Sequence, residues 1–438
     1  LTESLSFDVR LAPQDVEATA AHVRALEAAG LLDRGDADAL EDAVREVGAE
    51  IVEGRFEFDA ADEDVHSAIE RGVTARLGGL GARLHAGRSR NDLVVTDLRL
   101  WMLRASERIE RELVRLMDVL AKRAREGIDV ILPGTTHGRL AQPVSLAHHL
   151  LAHAFALSRD LERLDEWASR ASVSGLGAGA LATSTLSLDP TATAARLGFR
   201  EAFANSMDAV SDRDFAMEFL SVAAILGMHL SRIAADLIRW SDEAVGFAHL
   251  DDAYVTGSSM MPQKRNPDIA ELVRAKATRP ASEFARLAAV LSGLPLGYHR
   301  DFQEDKEPVF NSADTLERTL PALAGCLETA TFDADAMLRA AEAPELYATD
   351  VAEALVANGV PFREAHRTVG ELLRDLGGDG RTLRDLSSAE WAEVGLPEGA
   401  SLLDPRHAVD ARSMPGGPSR ASVEAQLDTL ERALTDRR

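Results

Sequence analysis

The residues best suited to chemistry lie in one polar segment, 256–268. It combines two serine hydroxyls with a lysine, an arginine and an amide, and it includes Ser258, Lys264 and Asn266. Gly257 and two prolines make the segment incompatible with a continuous helix. We therefore predict a loop whose many hydrogen-bond donors suit carboxylates.

Three further polar clusters are candidates for the same site. In segment 85–92, two arginines precede a long helix, and helix N-termini favour anions, although Asn91 or Asp92 is also a good N-cap. Segment 133–137 predicts a turn ending in a histidine, and a lone histidine is more often a packing residue. Segment 298–307 is rich in charge and is also typical of a solvated helix start.

The polar segments resemble those of a known superfamily. The run from Gly257 onward is similar to the GSSxMPxKxN signature of the fumarase/aspartase superfamily of lyases. GRSRND at 87–92, TTH at 135–137 and QEDKE at 303–307 resemble the argininosuccinate lyases within it, a family that also includes delta-crystallin. Further similar segments extend the resemblance over almost the whole chain: 7–13, 63–66, 205–208, 211–215, 348–350 and 361–366.

The resemblance implies a fold and an assembly. We expect a mainly α, three-domain protomer with a central bundle of long helices, forming a homotetramer with a 20-helix core. Each active site would be assembled from several subunits. The predicted domains are an N-terminal helical domain (1–87), the long-helix domain carrying the signature loop (88–339) and a small C-terminal helical domain (340–438).

The resemblance also implies roles for individual residues. Ser258 would be the base, with Lys264 and Asn266 holding the carboxylate beside the departing proton. His137 would act on the leaving nitrogen or orient the substrate, hydrogen-bonded to Glu271, although Glu271 could instead cap a helix as its N3 residue, with Asp268 as the N-cap. The remaining expected substrate-binding residues are Ser4, Arg90, Asn91, Thr136, Tyr298, Gln303 and Lys306, with Asp64 and Arg213 in the same neighbourhood.

The implied reaction is the reversible cleavage of argininosuccinate to fumarate and arginine, in arginine biosynthesis, without metal or organic cofactor. Departures from the family pattern at Gly138, Arg139, His299 and Arg300 leave the amine specificity open. The alternatives are a sister carbon–nitrogen lyase acting on another N-substituted aspartate and a catalytically retired structural homologue.

Composition limits the possible partners and compartments. The net charge of −24 argues against nucleic acid or an anionic membrane surface. The single cysteine, Cys326, excludes an intramolecular disulfide and is typical of a cytoplasmic protein. No signal or transit peptide is visible, and the start at Leu1 is typical of a chain missing a short leader. The apolar run 219–230 predicts a buried helix rather than a membrane span.

Apolar spacing predicts long helices that position these residues. We expect helices over 93–126, 215–240 and 268–294, the last kinked at Pro280, and a closing helix near 423–434. No persistent strand alternation is visible. Helices this long and apolar favour a homo-oligomer.

Two features that suggest ligand sites have simpler explanations. His149 and His153 have helical i,i+4 spacing, which can bind zinc, but the HExxH glutamate is absent, so we predict packing histidines. The glycine-rich segment 174–179 lacks the GK[ST] ending of a nucleotide loop.

The charge balance predicts salt dependence. Only four of the 48 Lys and Arg residues are Lys, and this acidic, lysine-poor composition resembles that of salt-adapted proteins. At about 0.01 M salt the screening length rises to about 30 Å, so self-repulsion should dissociate or unfold the oligomer. Sedimentation and activity measured from dilute buffer to molar salt test this expectation, and full activity as an intact oligomer in dilute buffer would contradict it.

Overall fold

The protein is built mainly from α-helices. The computed structural model describes residues 2–435 and Arg437, and in this part of the chain eighteen α-helices occur. Numbered α1 to α18 in chain order, they are Leu5–Asp8, Ala12–Ala28, Arg34–Val52, Val65–Leu77, Arg90–Glu126, Leu146–Ala171, Pro190–Arg196, Ser206–Ser211, Asp214–Trp240, Asp268–Lys276, Arg279–Leu291, Lys306–Thr329, Ala334–Ala341, Ala348–Ala357, Phe362–Gly378, Ser388–Glu393, Pro405–Asp410 and Arg420–Thr435.

Short strands and 3-10 turns connect these helices. Strands β1 to β8 form four two-stranded pairs: Ile131–Thr136 with Arg139–Ser145, Val173–Ser174 with Glu201–Ala202, Ala248–His249 with Thr331–Phe332, and Thr256–Gly257 with Arg265–Asn266. In chain order the pairs are therefore β1–β2, β3–β4, β5–β8 and β6–β7. The 3-10 turns are Val9–Leu11, Gly81–Arg83, Asp252–Tyr254, Arg300–Asp305, Pro344–Tyr347, Leu383–Asp385 and Gly399–Leu403.

The chain divides into two compact units. Unit 1 comprises Leu1–Arg111, Asp160–Met228 and Lys276–Arg318, and unit 2 comprises Glu112–Arg159, His229–Ala275 and Thr319–Arg438. The long helices α5, α6, α9 and α12 contribute residues to both units. The predicted helices 93–126, 215–240 and 423–434 correspond closely to α5, α9 and α18.

Unit 1 contains a core built from both small and large apolar side chains. Ala18 and Ala21 of α2 pack with Leu93 and Leu100 of α5, against Leu176, Ala194, Leu197 and Phe199. Leu93 and Leu100 are seven residues apart and so occupy the same helix face. This packing fixes the start of α5, which carries Arg90 and Asn91.

The predicted helix 268–294 is two helices rather than one kinked helix. Pro280 has no N–H to donate to the carbonyl of Lys276, which is the last residue of α10, and it lies in the first turn of α11. The Ala277 carbonyl at the break lies so close to Gly227 of α9 that a Cβ there would be 2.0 Å from it. The proline and this close approach together account for the break.

The expectation of no persistent strand is wrong for segment 131–145. β1 and β2 form an antiparallel hairpin, with Pro133 opposite Pro143 and an irregularity between Pro133 and Thr135. Two prolines and this irregularity hide the strand alternation in the sequence. Ile131 packs with Ala341 of α13 and Val409 of α17, so the base of the hairpin is buried while its tip is exposed.

One helix in the described part of the chain, α9, is long and apolar enough by composition to cross a membrane. Half of its most apolar window is buried within this single chain. Such burial is typical of a helix at the centre of a bundle, as the sequence predicted.

The hairpin tip generates a prediction. His137 and Gly138 both have positive φ, 53° and 71°, as a two-residue type I′ turn requires. A Cβ on Gly138 would meet nothing within 4 Å, so Gly138→Ala changes only the backbone preference. We expect it to lower the free energy of unfolding by about 1 kcal/mol.

Gly370→Ala is the matched control, measured by chemical unfolding alongside. Gly370 also has open space around it but lies within α15 without a positive φ, so alanine should leave stability unchanged or increase it. Equal effects of the two substitutions would contradict the turn assignment.

Candidate active site

A polar cavity in unit 1 collects six of the predicted substrate-binding residues. Its volume is about 130 Å³. The predicted residues that line it are Ser4, Arg90, Asn91, Tyr298, Gln303 and Lys306, and the others are Asp8, Asp64, His66, Val94 and Arg300. These residues come from sequence segments up to about 300 positions apart, so only the fold brings them together.

The N-terminal segment supplies a hydroxyl and a carboxyl to this polar cavity. Ser4 is buried, and its Oγ donates a hydrogen bond of 2.6 Å to Asp8 Oδ2. The other oxygen, Asp8 Oδ1, accepts from the backbone N–H of Val65 at 3.1 Å, which ties the segment to the start of α4. Burial raises the pKa of Asp8, in spite of these hydrogen bonds.

The start of α5 is held by a buried carboxylate. Asp92 Oδ1 accepts from the N–H of Ser89 at 3.0 Å, and Oδ2 accepts from the N–H groups of Gly177 and Gly179 at 3.1 and 2.8 Å. Burial raises the pKa of Asp92 to about 6. The helix begins at Arg90, so the prediction of Asn91 or Asp92 as N-cap is wrong: Asp92 lies inside the first turn and accepts from the residue before the helix.

The same contacts explain the glycine-rich segment 174–179. Its backbone wraps a carboxylate of the protein itself, which accounts for Gly177 and Gly179, both with positive φ. In the first turn of α5, Arg90 Nη1 lies 3.1 Å from Asp64 Oδ2, and Asn91 Nδ2 donates to the carbonyl of Ala180 at 3.2 Å.

A buried ion cluster positions the ammonium of Lys306. Lys306 Nζ donates to Asp305 Oδ1 at 3.0 Å, and Arg213 Nε donates to Asp305 Oδ2. All three side chains are at most 3% exposed. Because one carboxylate is shared by two cations, the cluster retains a positive charge where Lys306 lines the cavity.

The 3-10 turn Arg300–Asp305 completes the wall. Gln303 Nε2 donates to the carbonyl of Thr2 at 3.3 Å, and Arg300 donates to the same carbonyl and to Glu63. Burial raises the pKa of Tyr298, which keeps its phenol protonated as a hydrogen-bond donor.

His66, which lines the cavity, belongs to a buried group that the sequence did not single out. His66 Nδ1 is 2.6 Å from Asp15 Oδ2 and 3.4 Å from Asp97 Oδ2. Burial raises the pKa of Asp97 well above its ordinary value, and the nearby charge of Asp15 acts in the same direction. In the sequence, Asp8 and His66 stood out only as parts of segments that resemble the family, and Arg300 only as a departure from the family pattern.

The other predicted site residues lie in unit 2. Thr136 and His137 are exposed at the tip of the β1–β2 hairpin, and His137 lies in the tight turn with a positive φ. Asn266 lies in β7, paired with Thr256 of β6, and Glu271 is exposed in α10.

The signature loop connects β6 and β7, as the loop prediction expected. Ser258 Oγ accepts hydrogen bonds from the backbone N–H groups of Met260 at 3.2 Å and Met261 at 3.0 Å. Lys264 donates its backbone N–H to the carbonyl of Met261 at 3.1 Å, and its side chain is exposed. Two N–H dipoles thus converge on the predicted base and favour negative charge on its oxygen.

The alternative structural role for Glu271 does not hold as predicted. The helix begins at Asp268 itself, and the Asp268 carboxylate accepts from Thr256 Oγ1 of β6. Asp268 is therefore the first helical residue rather than the N-cap, and Glu271 is the fourth, one position beyond that of a capping box.

Comparisons with known proteins identify the family. A lyase family model matches residues 1–280, and a model of the argininosuccinate lyase C-terminal region matches residues 345–410. The chain is 48% identical to an argininosuccinate lyase of Frankia casuarinae over 437 residues, which cover 99% of this chain and 94% of the relative. It is also 48% identical to an argininosuccinate lyase of Acidothermus cellulolyticus over 443 residues, covering 100% and 91%.

The chain belongs to the argininosuccinate lyase family. Among solved structures, an EDDS lyase variant with bound fumarate has a TM-score of 0.86 at 25% identity, covering 98% of this chain and 87% of the other. The predicted mainly α, fumarase/aspartase-like fold and the prediction of a member of this carbon–nitrogen lyase family are thereby confirmed.

Proposed function

We propose that this family member cleaves argininosuccinate to fumarate and arginine by anti β-elimination with Ser258 as the base. The observation that carries the proposal is the pair of backbone N–H groups donated to Ser258 Oγ. A serine hydroxyl is a weak base at neutral pH, and removal of a Cβ proton requires its alkoxide. The two N–H dipoles, together with the Lys264 ammonium in the same loop, lower the cost of that alkoxide.

The second requirement is stabilisation of the dianion that forms when the proton leaves. Lys264 and Asn266 belong to the segment that carries Ser258, so they can hold the adjacent carboxylate while the base acts. Interactions that strengthen as charge develops lower the barrier. His137, polarised by Glu271, would protonate or orient the departing nitrogen, and Thr136 beside it would bind substrate.

The polar cavity supports binding of a substrate that carries charges of both signs. Arg90 and Lys306 suit carboxylates, whereas the carboxyl groups of Asp8 and Asp64 suit cationic groups. Ser4, Asn91, Tyr298 and Gln303 add neutral hydrogen-bonding groups. Argininosuccinate presents three carboxylates, an amine and a guanidinium, which matches this mixture, and we propose no metal or organic cofactor in the reaction.

Exposed apolar side chains support the proposal of a homotetramer with shared sites. In one chain, Met228 in α9, Leu272 in α10 and Phe284 in α11 are 55%, 50% and 36% exposed. Large exposed hydrophobics on these helices favour association with further copies. We retain the domain division 1–87, 88–339 and 340–438, and we propose a cytoplasmic enzyme of arginine biosynthesis that acts without nucleic-acid or membrane partners.

Ser258→Ala tests the base assignment. Removing a positioned base should reduce kcat by about 10²–10⁴-fold, while KM changes little because the polar cavity is intact. Fumarate release is followed by ultraviolet absorbance. Ser259→Ala, which removes the neighbouring exposed hydroxyl, is the control and should retain most activity; full activity in Ser258→Ala would refute the assignment.

The same assay distinguishes the alternatives left open by Arg300 and His299. Adenylosuccinate, ethylenediamine disuccinate, aspartate and malate are run beside argininosuccinate. Fumarate from another N-substituted aspartate but not from argininosuccinate would favour a sister lyase, and no fumarate from any of them would favour a retired homologue.

Mixing two inactive variants tests whether sites are shared between subunits. Ser258→Ala lacks a group of unit 2, and Lys306→Met lacks a group of unit 1. If one site takes these residues from different copies, co-assembled tetramers should recover up to about a quarter of wild-type activity, since random mixing makes about that fraction of sites complete. Each variant assembled alone is the control, and no recovery in mixed tetramers would place both residues in one chain's site.

A further inference from the structure

Two histidines and one carboxylate converge in unit 2, and none of the three is among the residues assigned to the elimination. His149 Nε2 and His153 Nε2 lie 2.7 and 2.8 Å from the same oxygen, Asp236 Oδ2. The three side chains contribute donor atoms that all lie within 4.8 Å of one another. Imidazole nitrogen and carboxylate oxygen are ligands that zinc accepts.

Two helices hold these three side chains in place. His149 and His153 share a face of α6 because they are four residues apart, and Asp236 lies in α9. The start of α6 is anchored by Ser145, whose Oγ accepts from the N–H of His148 at 3.2 Å and donates to the carbonyl of Pro418. The His149 ring packs 4.8 Å from the Trp240 ring, which limits its rotation.

The cluster opens onto a cavity of about 450 Å³. The walls come from α6, α9, the β1–β2 hairpin and apolar side chains such as Val245 and Phe247. The guanidinium of Arg239 also faces the cavity, but its Nη1 donates to Thr135 Oγ1 at 3.1 Å, in the hairpin. Space therefore remains beside the three donor atoms for water or another small ligand.

We propose that His149, His153 and Asp236 form a binding site for a divalent transition metal of the zinc class, with water as the fourth ligand. Three protein ligands with one open position are typical of zinc sites that keep a water. The sequence favoured packing histidines because no HExxH glutamate accompanies them. The third ligand comes instead from a residue 83 positions after His153, which spacing along the sequence does not reveal.

The geometry requires only a small adjustment to accept the ion. Ligand atoms at about 2.0–2.2 Å from a tetrahedral zinc are separated by about 3.3 Å, so the present contacts must open by about half an ångström. Asp236 is 29% exposed and can make this change by side-chain rotation. The bound ion would link α6 to α9 next to the hairpin that carries Thr136 and His137.

Metal titration of the chelator-treated, full-length oligomer tests the site. Zn²⁺ binding is measured by calorimetry, Co²⁺ binding by its visible absorption, and stability by Tm. We expect saturable binding, the intense spectrum of tetrahedral Co²⁺ and a rise in Tm with Zn²⁺. His153→Gln and Asp236→Asn should each weaken binding by more than about 100-fold, because even outer-shell partners of a metal are worth about 10–100-fold.

His148→Gln is the matched control. His148 lines the same cavity, but the hydrogen bonds to Asp236 come from His149 and His153. Replacing His148 should therefore leave metal binding and the Tm rise unchanged. Far-UV circular dichroism and retained fumarate formation without metal verify that each variant folds. Absence of saturable binding in the wild type, binding that persists in His153→Gln and Asp236→Asn, or equal loss in His148→Gln would each overturn the proposed ligand set.

Discussion

The polar cavity depends on one buried carboxylate, that of Asp305. It accepts from Arg213 and Lys306, and the guanidinium of Arg213 also packs 4.3 Å from the Phe302 ring. Removing one member of such a buried cluster typically costs about 3–5 kcal/mol, because an uncompensated charge remains. The constraint explains why a chain with so few lysines keeps one at 306: a compact ammonium fits beside Asp305, and a planar guanidinium is not equivalent there.

Binding groups and reacting groups occupy surroundings of different kinds. In the cavity, Ser4 and Lys306 are fixed by buried hydrogen bonds to Asp8 and Asp305, and so they are organised before any ligand arrives. The proposed reacting groups His137 and Lys264 instead lie in exposed turns held mainly by backbone conformation. Such segments are suited to closing over a bound substrate, since they have few packed contacts to break.

The sequence predicted those parts of the fold that local patterns determine. The bounds of α5 and α9 follow from apolar periodicity, and the signature loop follows from glycine and proline. The β1–β2 hairpin was missed because Pro133 and Pro143 disrupt strand alternation, and the break at Ala277 depends on contact with Gly227. Within the site, motif residues were found, but Asp8 and His66 were not, because a buried ionisable residue acquires its role only from neighbours distant in sequence.

The hydrogen bonds at Ser258 also limit the form in which this residue can act. A neutral hydroxyl oxygen has two lone pairs, and the N–H groups of Met260 and Met261 occupy both. Its own hydrogen must therefore point away from them, and no lone pair remains to take a proton from carbon. Only loss of that hydrogen creates a third lone pair. If Ser258 is the base, as proposed, it can act in this loop only as the alkoxide, and each catalytic cycle must export one proton from Ser258, which the proton taken from the substrate then replaces.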